Sequence, residues 1–297
     1  MRAGVSAFFD IVISGVFHAA VLFLVAAGLQ LVFGVQKIVN LACGSFYAVG
    51  AYFGIAAVTW AVGLGLPPAL FLAVLLGAGA SLALIGPPIE RLLRPIYGRD
   101  EAFQLLLTFA LVLMFQDAIR FIWGPAPLQL GNLYMVYGRI NVGGVAFPAY
   151  NLLVMAASLA IAVGLGWFLL RTNTGRILRA TAEDRETAQS LGVDVGRMYA
   201  LVFTLGTALG TLGGALVAPA SAASLDMAVE LVVEAFAVVV IGGLGSMPGA
   251  FVGALIVGLM RAGAISIYPE AEILAIYLVV LVVLIMRPAG LFGRAAA

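Results

Sequence analysis

Hydrophobic residues fill nine windows of the chain, at 11–34, 41–63, 67–89, 102–123, 149–170, 198–220, 229–244, 249–265 and 272–286, and polar residues collect between them. Most windows reach the roughly 18 residues that a helix needs to cross a hydrocarbon slab about 30 Å thick. The breaks are Gly65-Leu66-Pro67-Pro68, Arg91 to Glu101, Gly124-Pro125-Ala126-Pro127 and Gly245-Ser246-Met247-Pro248-Gly249. Helices end at such places because proline lacks an N–H and glycine is entropically costly inside them. The pattern predicts an all-α polytopic membrane protein of about nine transmembrane helices, eight to ten by the same windows, in a single domain over residues 1–297. The first window follows Arg2 and is too long for a signal-peptide core, so it reads as a retained helix, although Ala26-Ala27-Gly28 imitates a cleavage site.

Composition supports helices over a barrel: 36 glycines, abundant alanine and no sustained alternation of polar and apolar positions. The run Gly206 to Gly214 is a double GxxxG, repeated at Gly249–Gly253 and Gly50–Gly54. In lipid no hydrophobic force drives helices together, so small residues promote association by close backbone approach; packing within the chain is the expected use.

Charges make up only 10% of residues, and their placement sets the orientation. Arg91, Arg94 and Arg99 mark one loop, Arg171, Arg176, Arg179, Arg185 and Arg197 the next, and Arg287 and Arg294 the C-terminus. With two and then four crossings between them, all three share the cytoplasmic face. Nine crossings place the N-terminus outside; eight would place it inside. On the other face, Trp123 to Tyr150 carries Trp123, Tyr134, Tyr137, Phe147 and Tyr150. Aromatics in that position suggest an interfacial belt or, more specifically, a surface for an external partner.

The stretch Thr174 to Asp194 concentrates charge in an otherwise oily chain. Thr181 and Asp184 have the spacing of a capping box, and Gly192 would close the helix, which predicts about ten residues too short and polar to span a membrane. Ala180, Ala188 and Leu191 form a weak apolar stripe on it. Either this is a solvated loop whose arginines set topology, or it docks into a soluble partner. The glycine-rich run Ile241 to Ala250 reads equally as a cytoplasmic turn or a re-entrant element.

Single copies of Cys43, His18 and Lys37 exclude an intrachain disulfide and paired-histidine metal chemistry. Lys37 is not in a GxxxxGK[ST] loop, so any ATP is hydrolysed by another chain. Ionisable or strongly polar residues inside apolar windows are His18, Gln30, Gln104, Gln116, Asp117, Arg120, Glu230, Glu234 and Arg261, each needing a partner or a cavity. Asp117 and Arg120 can pair locally. Glu230 and Glu234 are suited to an ion pair with Arg261 or to a translocation path.

Four motifs in order carry a resemblance: Asn40-Leu-Ala-Cys-Gly-Ser-Phe-Tyr47 with Gly50-Ala-Tyr52; Thr174-Gly-Arg-Ile-Leu-Arg-Ala180 with Glu183-Asp184, Ala188 and Gly192; Gly242-Gly-Leu-Gly-Ser246 with Gly249-Ala250; and Arg287-Pro-Ala-Gly-Leu-Phe-Gly293. Over essentially its full length the chain resembles the LivH-type permeases of bacterial branched-chain amino acid ABC importers. It departs from their pattern at Cys43, where many members have histidine, and at Glu234, where a basic residue is common. The resemblance implies a multi-pass permease of the bacterial inner membrane that is not itself an enzyme and binds no cofactor. Its implied partners are a second related permease, two cytoplasmic ABC ATPases holding ATP and Mg²⁺, and a periplasmic solute-binding protein, with no nucleic acid.

It further implies that residues 171–197 form the ATPase-contacting loop, with Gly175, Arg176, Arg179, Ala180, Glu183, Asp184, Ala188 and Gly192 as coupling residues. Asn40, Cys43, Gly44, Gly242 and Gly243, together with Glu230 and Glu234, are the candidates for the translocation path. The alternative class is a secondary transporter driven by an ion gradient, with Glu230 and Glu234 as coupling acids.

Overall fold

The computed structural model describes residues 2–142 and 145–293; Arg294 lies outside them. Helices are α1 (Arg2–Gln36), α2 (Cys43–Gly63), α3 (Phe71–Ser81), α4 (Gly86–Leu93), α5 (Glu101–Trp123), α6 (Ala149–Arg171), α7 (Asn173–Glu183), α8 (Arg185–Ser190), α9 (Val195–Val217), α10 (Met227–Gly242), α11 (Met247–Ile267) and α12 (Glu272–Met286). A 3₁₀ turn at Leu82–Ile85 joins α3 to α4 in one crossing. Among the described residues eight stretches are long and apolar enough to span a bilayer. The window at 229–244 becomes α10, whose 16 residues reach only about 24 Å.

Helix directions follow from cross-contacts. The Gln36 side-chain amide donates to the Tyr199 carbonyl (2.8 Å) near the start of α9, while Gly28 packs on Gly206 and Val25 on Gly213. Thus α1 is antiparallel to α9, and its N-terminal end lies opposite the arginine-rich loops, as nine passages require. α11 returns along α1, with Gly258 against Gly15. α6 and α12 are largely exposed and offer their apolar surfaces to lipid or to another chain.

α2 runs parallel to α9, with Cys43 beside Gly210, Tyr47 beside Gly214 and Gly54 beside Ala215. Gly210 is about 16 Å further along α9 than Tyr199, so α2 starts deep inside the protein. The chain climbs there from the end of α1 as irregular backbone, which membrane depth tolerates only when buried in protein. Asn40 Oδ1 accepts the Ala42 N–H (3.0 Å), the Thr108 hydroxyl donates to the Val39 carbonyl (3.4 Å), and Asn40 and Ala42 are buried.

The glycine repeats act within the chain. A Cβ on Gly214 would fall 2.7 Å from the Tyr47 carbonyl carbon and 2.9 Å from the Ala51 nitrogen, and Gly50 meets Thr211 with similar closeness. These approaches bring α2 and α9 into backbone contact, the dispersion gain that small residues permit.

The outer segment differs from an aromatic belt. Residues Gly131–Met135 form a 3₁₀ turn, and β1 (Arg139–Val142) pairs antiparallel with β2 (Val145–Pro148). Phe147 and Tyr150 are buried, Tyr150 donates to the Leu216 carbonyl (2.6 Å), and the Tyr137 hydroxyl accepts the Leu72 N–H (2.9 Å). Trp123 packs on the Tyr52 ring. The hydroxyls of Tyr134, Tyr137 and Tyr150 find protein partners, so these rings cap the bundle from outside.

Candidate functional site

Two regions carry chemistry, one at each end of the bundle. At the arginine-rich end, Thr172 adopts an extended conformation and its hydroxyl accepts the Gly175 N–H (3.0 Å), which starts α7. A side chain at Gly175 would run into the Phe168 and Leu169 backbone at the end of α6, so glycine is needed for this sharp turn. Thr181 is not a cap: it is buried within α7 and donates to the Ile177 carbonyl (2.9 Å). Asp184 takes the capping role, its carboxylate accepting the Thr187 N–H (3.0 Å) and hydroxyl, and starts the six-residue α8. The expected helix of about ten residues is therefore two helices with a corner at Asp184. Thr172 prevailed as a cap because the run after it, Asn173 to Glu183, contains no breaker beyond its first turn.

Gly192 has φ of +86° and ends α8, as expected of a C′ residue. Leu178, Thr181 and Ala188 are buried and hold the unit, with Leu178 packed among Leu31, Val195, Tyr199 and Phe203. Ala188 and Gly175 therefore anchor the unit and do not present themselves to a partner. Arg176, Arg179, Ala180, Glu183 and Asp184 are exposed, as is Leu191, so the apolar stripe expected of Ala180, Ala188 and Leu191 is split between two faces. Arg185 lies over the Tyr199 ring at 5.5 Å.

Sequence reasoning missed Glu90. It is fully buried, receives Arg94 Nε at 2.9 and 3.0 Å and the Tyr97 hydroxyl at 3.1 Å, and Arg94 also donates to the Gly196 carbonyl (3.0 Å). This tether fixes the first arginine loop to the start of α9. The i,i+4 spacing of Glu90 and Arg94 on a short helix was the available signal.

At the opposite end, a cavity of about 620 Å³ lies between α1, α2, α10 and α11. Its floor is the raised start of α10, where Gly44 abuts Ala228. Asp10, His18, Tyr47, Glu230, Glu234 and Arg261 line it, beside an apolar wall that includes Phe17, Leu231 and Ile265. Glu234 joins the expected ion pair: Arg261 Nε is 3.7 Å from one of its oxygens, and His18 Nε2 is 2.8 Å from the other. Arg261 also engages Glu272. Its Nη1 lies 2.6 Å from His18 Nδ1 and 3.1 Å from Nε2. Through these contacts α1, α10, α11 and α12 are clasped together.

Glu230, in contrast, is exposed to the cavity and forms no ion pair among the described residues. Asp117 and Arg120 do not pair either; both are exposed near the outer end of α5, where each can reach the polar interface.

Of the path candidates, Glu230 and Glu234 line the cavity. Asn40 satisfies backbone, Cys43 is buried and free, and Gly44 packs on α10. Gly242 crosses Gly249 at backbone contact, and Gly243, at φ +94°, lies against Gly290 and Gly293. The glycine-rich run is a tight reversal at the arginine-rich end, buried at Ile241, Gly242, Gly243, Gly249 and Ala250 and exposed at Leu244, Gly245 and Pro248. Gln30 holds it, donating to the Gly243 (2.7 Å) and Ser246 (3.0 Å) carbonyls and accepting the Gly245 N–H (2.8 Å).

Residues 11–286 match the family described as branched-chain amino acid transport system / permease component. The high-affinity branched-chain amino acid transport system permease protein BraD of Pseudomonas aeruginosa is 28% identical over 91% of each chain, and LivH of Escherichia coli K12 is likewise 28% identical over 91% of each. Among solved structures, PsaBC from Streptococcus pneumoniae in complex with Fab superposes with a TM-score of 0.50 over 94% of this chain and 92% of that one, at 14% identity, a likeness of fold.

Proposed function

Since the chain belongs to the family of branched-chain amino acid transport permease components, we propose that it is the membrane subunit of an ATP-driven importer carrying branched-chain amino acids or related small solutes across the bacterial inner membrane. Its partners in this reading are a second permease, related or identical, two cytoplasmic ATPases that hold ATP and Mg²⁺, and a periplasmic solute-binding protein. Residues 171–197 are the ATPase-contacting part of the single permease domain.

One observation carries the reading: the α7–α8 corner presents Arg176, Arg179, Glu183 and Asp184 outward while Leu178, Thr181 and Ala188 root it in the bundle. α7 begins one residue after α6 ends, and Leu178 touches the α1 and α9 packing cluster. A displacement of the corner by a partner is therefore delivered to three membrane helices at once, because packed interiors transmit strain. Closure of the ATPases on ATP would move the corner, and the permease pair would change which face its pathway opens to.

Arg179→Glu and Glu183→Arg test this. Each should leave the permease folded in the membrane but lower solute-stimulated ATPase activity and transport by at least tenfold in the reconstituted complex. Normal coupling in both variants would remove the docking role, and ATP hydrolysis by the purified chain alone would remove the division of labour.

A further inference from the structure

The geometry points to a solute subsite within the permease itself: the outer cavity reads the head group of an α-amino acid, with Glu230 receiving its ammonium and Arg261 its carboxylate. The inference rests on the importer reading and adds a selective element that the solute-binding protein does not supply.

Three observations converge. Tyr47 is 94% buried, since only 6% is exposed, yet its hydroxyl makes no hydrogen bond to the described residues and the side chain lines the cavity. The Tyr134 and Tyr150 hydroxyls each have a protein partner and the Tyr52 hydroxyl is buried without one, whereas the Tyr47 hydroxyl is unpaired but opens on the cavity. Tyr47 also lies within the electrostatic reach of Glu234, Arg261 and Glu230. The open hydroxyl is therefore directed at whatever occupies the cavity.

Second, both signs of charge are available there. Arg261 commits Nε to Glu272 and Nη1 to His18, which leaves Nη2 without a hydrogen bond among the described residues. Glu230 is likewise uncommitted, whereas Glu234 is used by the clasp. With Asp10 also on the wall, carboxylates outnumber the guanidinium, so the cavity favours a solute carrying a positive group.

Third, the remaining wall is apolar, with Phe17, Leu231 and Ile265 beside the charged groups. A cavity of about 620 Å³ is of the size of small-molecule sites and would admit an amino acid with water. Charged head contacts opposite an apolar wall suit a zwitterion with a hydrocarbon side chain. An anion of the same skeleton, without the ammonium, would face Glu230 and Asp10 unpaired.

The test uses the full chain in nanodiscs and saturation-transfer NMR, which detects weak binding. The probes are L-leucine and 4-methyl-2-hydroxypentanoate, the same skeleton with hydroxyl in place of ammonium. Wild type should transfer saturation to the leucine methyls at least threefold more strongly than to the hydroxy acid. Glu230→Gln and Tyr47→Phe should each reduce the leucine signal at least threefold, Glu230→Asp should restore part of it, and Glu270→Gln, outside the cavity, should leave it unchanged. Absence of a leucine signal in wild type, a smaller reduction in both variants, or equal signals from the two probes would overturn the subsite. No ATPase takes part in this measurement, so the subsite and the importer reading can fail separately.

Discussion

Replacing Gly214 by alanine puts a methyl group where the backbone of α2 already is. The new Cβ would sit 2.7 Å from the Tyr47 carbonyl carbon and 2.9 Å from the Ala51 nitrogen, with the Tyr47 oxygen nearer still. Ordinary contact begins near 3.4 Å, so α2 and α9 must separate by at least 0.7 Å. All three obstructing atoms are backbone, and none can swing aside. Overpacking of this kind costs about 1–3 kcal/mol, and the rigid surroundings place this site at about 3. Gly164 in α6 is the matched control, because a Cβ there meets nothing within 4 Å. At an open helical position alanine is better than glycine by about 0.5–1 kcal/mol, so Gly164→Ala should stabilise. The two variants add the same methyl group and should differ by about 4 kcal/mol with opposite signs. Equilibrium unfolding in mixed detergent micelles measures both. A Gly214→Ala protein as stable as wild type would show that the close α2–α9 approach is not what holds these helices, and would refute the packing argument.

Other consequences are equally testable. Gln30→Ala should cost about 1–3 kcal/mol by leaving the buried Gly243 carbonyl and the part-buried Gly245 N–H and Ser246 carbonyl without their side-chain partner, and should raise amide hydrogen exchange there before anywhere else in α10 or α11. The hydrogen bonds from Thr187 hold the Asp184 carboxyl below the usual carboxylate range. A depressed folded-state value means that the cap is intact above that range and is lost as pH falls through the lower folded value. Amide protection of 185–190, corrected for intrinsic exchange, should be flat from neutral pH down to the ordinary carboxylate value and then fall; in Asp184→Asn that fall should disappear. A protection profile in wild type that declines already near neutrality would contradict the cap.

The membrane-spanning helices were legible because hydrocarbon thickness imposes a run length, and Gly, Pro and Arg punctuate the runs. Depth was not. Residues 41–63 read as one more window, and nothing in their composition says that α2 starts about 16 Å inside, since that depends on Gly210 and Gly214 of a helix far along the chain. Local signals also compete: Thr172 and Thr181 are both residues that cap helices, and Thr181 is instead buried inside α7, its hydroxyl given to the Ile177 carbonyl. Tyr137 and Tyr150 looked interfacial because enrichment statistics are blind to a specific partner such as the Leu216 carbonyl. At the candidate site the charges of Glu234 and Arg261 drew attention as isolated costs, and their pairing could be anticipated. The place of His18 between them, and the freedom of Glu230, depend on how four helices meet.

The pairing of α1 with α9 and α11 has a consequence for biogenesis. Ile267 is synthesised roughly 230 residues after Gln36, which at about 5–20 residues per second is a delay of roughly ten to fifty seconds. For most of that interval His18 lacks Glu234 and Arg261, and Gln30 lacks the Gly243–Ser246 turn. α1 must wait in the membrane with unpaired polar groups, a window in which the insertion machinery can hold it and membrane proteases can recognise it. Slow or truncated synthesis should therefore deplete this protein before any defect in its finished fold becomes visible.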